Sequence, residues 1–162
     1  MRKIFYLFFL TFIACSQDKV EIYNNFEPDP WMNRHTLTDE VARSGVHSSR
    51  LNANNIYGFG YNNFFRNISE KEIKQTTVDF WVYAKKPTEH TLMVFNISFE
   101  DKHVLWEGIN IRIKPEDTQK WIKFSKTFNI DKYYDPDYKL SVYGWSPKGE
   151  ELFIDDLRLI FN

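Results

Sequence analysis

The sequence predicts an all-β domain, an antiparallel sandwich of two sheets. Three observations carry this expectation. Apolar and polar residues alternate with period two over successive short runs, and those runs are rich in β-branched and aromatic side chains. Turn-forming residues separate the runs at short intervals, and from about Asn25 onward no long stretch places apolar residues at helical spacing.

The amino terminus has a different character. Arg2 and Lys3 precede a mostly apolar run, Ile4 to Ile13, followed by Ala14 and the single cysteine, Cys15. Ten residues at about 1.5 Å each span about half of a roughly 30 Å hydrocarbon core, so the run reads as a signal peptide, residues 1–14, and not as a membrane-spanning helix. Phe12-Ile13-Ala14-Cys15 resembles the lipobox of bacterial lipoproteins. That resemblance implies lipidation of Cys15 and a chain tethered to a bacterial membrane in the cell envelope, at the outer membrane or cell surface. Residues 15–24 then read as the lipidated cysteine and a polar tether, and residues 25–162 as the folded domain.

Within the domain, the expected strands are Ser48–Leu51, Ile56–Tyr61, Thr76–Tyr83, Thr91–Phe99, His103–Ile113, Trp121–Phe128, Leu140–Trp145 and Leu152–Phe161. Proline- and aspartate-rich turns lie between them, among them Lys86-Pro87-Thr88, Asp135-Pro136-Asp137 and Ser146-Pro147-Lys148-Gly149. Ser69-Glu70-Lys71-Glu72 has the form of a helix capping box, with room for one turn of helix before the next strand. About eight short strands at this spacing describe a two-sheet sandwich or jelly roll.

Composition and missing motifs exclude several functions. The 162 residues carry 21 basic and 22 acidic side chains, so no bulk charge attracts a nucleic-acid backbone. Removing residues 1–14 takes away Arg2 and Lys3 and no acid, which leaves the domain at −3. No Gly-x-Ser-x-Gly elbow is present, and the four histidines are scattered without a His-x-x-x-His pair. The domain lacks a cysteine once Cys15 is assigned to the anchor, so its stability rests on the core. Scattered Asp and Glu could supply the two carboxylates of a glycosidase, but a sandwich of this size with few long loops leaves little wall for an enclosed cleft, so a non-catalytic role is the expectation.

The alternation also sorts residues by face. In Thr76–Tyr83, Val78, Phe80 and Val82 point one way, while Asp79, Trp81 and Tyr83 point the other. In the Leu140 strand, Leu140 and Val142 oppose Ser141, Tyr143 and Trp145. If the two strands share a sheet, Trp81, Tyr83, Tyr143 and Trp145 form one aromatic platform, with Asp79, Ser141 and Arg112 as polar contacts. Flat rings of this kind stack on the apolar face of a sugar. Aromatics at strand spacing equally serve as packing residues under a loop, and alternation alone leaves both readings open. Trp106 and Trp121 are assigned to the core, and Trp31 to a loop at one edge.

Order and spacing of several segments resemble carbohydrate-binding modules and related domains with the galactose-binding-domain-like β-sandwich. These are Asn25-Phe26-Glu27, Ser44-Gly45-Val46-His47-Ser48, Phe80-Trp81-Val82-Tyr83, Trp121 at the start of a strand, Val142-Tyr143-Gly144-Trp145, and Leu152-Phe153-Ile154-Asp155-Asp156-Leu157. The resemblance implies a glycan or polysaccharide as partner and a structural Ca2+. Its ligands would be Glu27, Asp155 or Asp156, and carbonyls near Ser44 and Ser48. Calcium accepts mixed carboxylate and carbonyl oxygens. A β-bulge or a local hydrogen-bond cap accounts equally for two adjacent aspartates in an apolar strand. A second reading of the function is a structural or protein-interaction subunit of an envelope complex, with the aromatic face covered by a partner protein.

Overall fold

The computed structural model describes residues 19–27 and 34–162. The segment read as a signal peptide, Cys15 and Trp31 lie outside the described residues. Ten strands follow in chain order: β1 (Val20–Asn24), β2 (Leu37–Thr38), β3 (Ser48–Leu51), β4 (Tyr57–Phe64), β5 (Gln75–Tyr83), β6 (Thr88–Phe99), β7 (Lys102–Ile113), β8 (Trp121–Asn129), β9 (Lys139–Trp145) and β10 (Leu152–Phe161). They form two antiparallel sheets. The six-stranded sheet runs β2-β3-β10-β5-β8, with β1 also paired to β10, and the four-stranded sheet runs β4-β9-β6-β7. The expected all-β sandwich is the fold observed.

Two expectations are corrected. The segment read as the end of a tether is a strand: Val20 to Asn24 pair residue by residue with Phe161 to Leu157. Val20 and Ile22 pack against the core, and this alternate burial makes the short segment a strand although its other residues are polar. The turn of helix expected after Ser69 lies one step earlier, as a 3-10 turn at Phe65–Asn67 that buries Phe65. Ser69 instead accepts a hydrogen bond from the Lys71 N–H at 3.0 Å, a local side-chain turn that competes with helix.

The core sits between the sheets. Val78, Phe80 and Val82 of β5 face Met93, Phe95 and Ile97 of β6 and Leu140 and Val142 of β9, all but sealed from solvent. Phe95 of one sheet stacks on Phe128 of the other, centroids 4.1 Å apart and planes within 8°. Phe80 and Phe124 stack at 5.5 Å within the six-stranded sheet. The Phe95–Phe128 stack, in place of a disulfide, links the two layers. We expect Phe95→Ala to cost about 3–5 kcal/mol, through lost transfer energy and the cavity left behind. Urea unfolding measures it, and a loss under about 1 kcal/mol would show that the layers do not depend on this stack.

Candidate functional site

The outer face of the four-stranded sheet is set by three registers, and outward residues that pair across strands fall into rows. The first row is Tyr57, Trp145, Leu92 and Asn110, on β4, β9, β6 and β7. Beside it runs a second row, Gly60, Tyr143, Val94 and Gly108. The third is Asn62, Ser141, Asn96 and Trp106, and the fourth is Phe64, Lys139, Ser98 and His103. Two bulges make this possible. Tyr57 and Gly60 are three residues apart, as are His103 and Trp106, so a regular strand would put one of each pair inside. The register shifts in β4 and β7 absorb the extra residue.

Rings dominate one part of this face. Tyr57 lies parallel to Trp145 at 6.4 Å and tilted to Tyr143 at 6.1 Å. Trp106 meets Trp145 edge-on at 6.0 Å. Tyr57 is 56% exposed and Trp106 is 42% exposed, so the rings are open to a ligand. Gly108 and the buried Val94 leave a shallow trough on β6 and β7 beside Tyr143, whereas Gly60, where a Cβ would fall 1.8 Å from the Val142 carbonyl oxygen, lets β4 approach the β9 backbone closely. At the β4 end of the face lies a cavity of about 350 Å3 lined by Tyr57, Gly60, Asn62, Ser141 and Tyr143. Polar groups border the trough: His103 Nδ1 donates to Asn96 Oδ1 at 2.6 Å, which orients both side chains beside Trp106.

The single aromatic platform expected from sequence does not form. Trp81, Tyr83 and Asp79 lie on β5 of the six-stranded sheet, whereas Tyr143 and Trp145 lie on β9 of the other, so the two sets face opposite directions. Trp81 is not open for stacking, because the Arg43 guanidinium covers its ring at 3.8 Å. Asp79 is engaged by Lys123 at 3.2 Å and by the Ser125 hydroxyl. Tyr83 packs between Trp121 and Phe153. Arg112, expected as a polar contact, pairs with Glu89 at 3.3 Å.

Trp106 is exposed, and Trp121 is half-buried against Tyr83 on the outer face of the six-stranded sheet, so neither belongs to the core between the sheets. The signal for Trp106 is present in the chain: Trp106, Gly108, Asn110 and Arg112 share one parity, and Ile109, Ile111 and Ile113 the other. Tyr57 was missed because the bulge after it breaks the period.

The residues expected to bind calcium are brought to one loop, but they do not fit the ion. Glu27 Oε1 accepts the Val46 and His47 N–H groups at 2.5 and 3.0 Å, and Oε2 meets His47 Nδ1 at 3.1 Å. Asp155 Oδ2 accepts the N–H groups of Arg43 and Ser44 at 2.7 and 3.1 Å. Asp156 receives the Ser44 hydroxyl at 2.6 Å, the Tyr23 hydroxyl and the Arg43 guanidinium. The Ser48 hydroxyl is turned to the Val41 carbonyl. Calcium needs free oxygen donors, and these carboxylates meet N–H groups and a cation. Among the described residues no three His, Cys, Asp or Glu side chains gather as a metal cluster.

The local backbone supports this hydrogen-bonded clip. Asp156 has φ of 52° at the register shift in β10. Gly45 has φ of 61°, and a Cβ there would fall 2.1 Å from Glu27 Oε1, so only glycine lets the carboxylate in. Burial pushes Asp155 above the ordinary aspartate range, opposed by its N–H donors and reinforced by the Asp156 charge. Burial acts on Asp156 in the same sense, but Ser44, Tyr23 and Arg43 outweigh it and hold that carboxyl low. The Val46 and His47 N–H groups hold Glu27 low.

No family model and no curated protein matches the sequence. Solved structures do resemble the fold. The CBM22-2 xylan-binding domain from Paenibacillus barcinonensis Xyn10C superposes over 78% of this chain and 85% of its own, with TM-score 0.53 and 12% identity. The CBM22-1 xylan-binding domain of the same protein covers 77% and 78%, with TM-score 0.51 and 14% identity. The chain is thus similar to carbohydrate-binding modules in its β-sandwich architecture.

Depressed carboxyls such as Asp156 and Glu27 stabilise the fold above their unfolded pKa, and that contribution is lost as pH falls. Asp155 acts oppositely: it favours the folded state when protonated, and this fades as pH rises through its folded pKa. We expect the melting temperature to drop below about pH 4, less steeply in Asp156→Asn, and to ignore chelator or added calcium at neutral pH. A calcium-dependent rise in melting temperature would overturn the clip and restore the metal site.

Proposed function

We propose that this protein is a non-catalytic glycan-binding module, and that the trough on the four-stranded sheet is where a polysaccharide lies. The observation that carries the reading is the meeting of three elements on one face. Open rings at Tyr57, Trp145 and Trp106 offer stacking surfaces, asparagine and serine side chains offer hydroxyl partners, and Gly108 beside the buried Val94 keeps the trough low between them. An open trough of this kind takes a polysaccharide chain, whereas an enzyme needs reacting groups in reach of a bond. No carboxylate stands among the four rows, so the trough lacks the paired acid and base that glycoside hydrolysis uses. The similarity to xylan-binding domains agrees with this reading at the level of fold.

Trp145→Ala and Trp106→Ala are each expected to weaken glycan binding by at least about tenfold while the fold persists, and Trp81→Ala to leave binding unchanged. A glycan array followed by titration calorimetry on the hits makes the comparison. Binding that survives both groove variants but fails in Trp81→Ala would move the site to the opposite sheet. A folded sample that binds no glycan would favour the alternative, a protein-interaction subunit of an envelope complex.

The location is part of the proposal. The lipobox-like Phe12-Ile13-Ala14-Cys15 supports a lipid anchor on a bacterial cell envelope, a few residues before the first strand at Val20. Among the described residues no helix is long and apolar enough to cross a membrane. Cys15→Ser is expected to shift the protein from the membrane fraction to the soluble fraction, and a variant that still sediments with membranes would remove the anchor.

A further inference from the structure

The sixteen outward positions of the four rows include no carboxylate and a single permanently charged side chain, Lys139. It sits in the fourth row, on β9, between Phe64 and Ser98. Its neighbours in the third row are Ser141 and, two strands away, Trp106, so it borders the aromatic trough. Among the described residues it forms no ion pair, whereas Arg66 pairs with Asp137, Arg112 with Glu89 and Lys126 with Glu107.

His103 closes the same row on β7, the other side of Ser98. Its Nδ1 is committed to Asn96, which leaves Nε2 toward solvent. With strands about 4.8 Å apart, Lys139 and His103 start about 10 Å from each other, on either side of Ser98. The acidic groups nearby stand outside this row. Glu100 and Asp101 lie in the turn beyond Phe99 and Lys102, past the last row, and Asp137 is bound to Arg66.

An unpaired ammonium beside a stacking surface is matched by a ligand that brings the opposite charge. We propose that this end of the trough receives an anionic substituent of the bound glycan, the carboxylate of a uronic acid or a sulfate ester, with Lys139 Nζ as its counter-ion and His103 beside it. The ligand class is then an acidic polysaccharide, stacked on Trp106 and anchored at Lys139. This inference rests on the glycan-binding reading of the same face and adds charge selection to it.

The test measures binding of the purified full chain to alginate and polygalacturonate as uronate polymers, a sulfated galactan, and neutral xylan and β-1,4-glucan, by affinity electrophoresis at low and at high salt. We expect at least one acidic polymer to bind about tenfold tighter than the neutral ones at low salt, and salt to erase most of the difference. Lys139→Gln should bring the acidic ligand down to the neutral level, and Lys139→Arg should keep the preference. Lys86→Gln, a surface lysine away from the face, should change nothing. Preference for uronate over sulfate, or the reverse, identifies the anion. Equal binding of neutral and acidic polymers, or a preference untouched by Lys139→Gln, overturns the inference and leaves the glycan site standing. Failure of every polymer to bind overturns both. A melting curve for each variant confirms that the fold is intact.

Discussion

The face that carries the trough depends on the pairing of β6 with β7 and β9. Side-chain direction alternates along a strand, so a slip of one residue would turn Trp145, Tyr143 and Trp106 into the core and drive Val142, Phe95 and Ile111 out to solvent. The cost of exposing those apolar groups locks the register. The two bulges work inside this constraint. They let β4 and β7 contribute Tyr57 and His103 to rows whose remaining members obey the simple period.

A second constraint acts on the opposite sheet. One edge of β10 is shared by two short strands, β3 over Leu152–Ile154 and β1 over Leu157–Phe161. Between them the ladder is interrupted at Asp155 and Asp156, where backbone donors of the Arg43–Ser48 loop fill in. The carboxylates thus replace missing strand partners, and Arg43 ties the loop to both Asp156 and the ring of Trp81. The outcome is a polar clip joining the first strand, the loop and the last strand. A buried aspartate pair is tolerated here because every oxygen has a donor and one of the two charges has a guanidinium.

The two faces of the sandwich therefore differ in use. Rings on the six-stranded sheet are covered by their own cations and by each other: Phe153 is fully buried, with Arg50 and Lys85 above it. Rings on the four-stranded sheet are left open. Similar strand sequences, aliphatic on one side and aromatic on the other, end in different roles because Arg43, Arg50 and Lys85 cover Trp81 and Phe153, whereas no cation lies over Tyr57, Trp106 or Trp145 among the described residues.

Much of the fold was legible along the chain. Period-two alternation located eight strands, since burial of one sheet face imposes that period directly, and it separated inward from outward residues in β5 and β9. Tyr143 and Trp145 were found by the same signal. The strand at Val20–Asn24 was not, because five residues of mixed polarity become a strand only through their pairing with β10. Which strands share a sheet is likewise a long-range property: β5 and β9 look alike locally and lie in different sheets. Whether Trp81 is open and Glu27 or Asp155 free depends on where Arg43 and its loop come to rest. Local pattern determined the architecture and the outward residues, because side-chain direction repeats with the backbone. Tertiary structure alone decided which aromatics meet and which carboxylates stay available, because those depend on partners from distant parts of the chain.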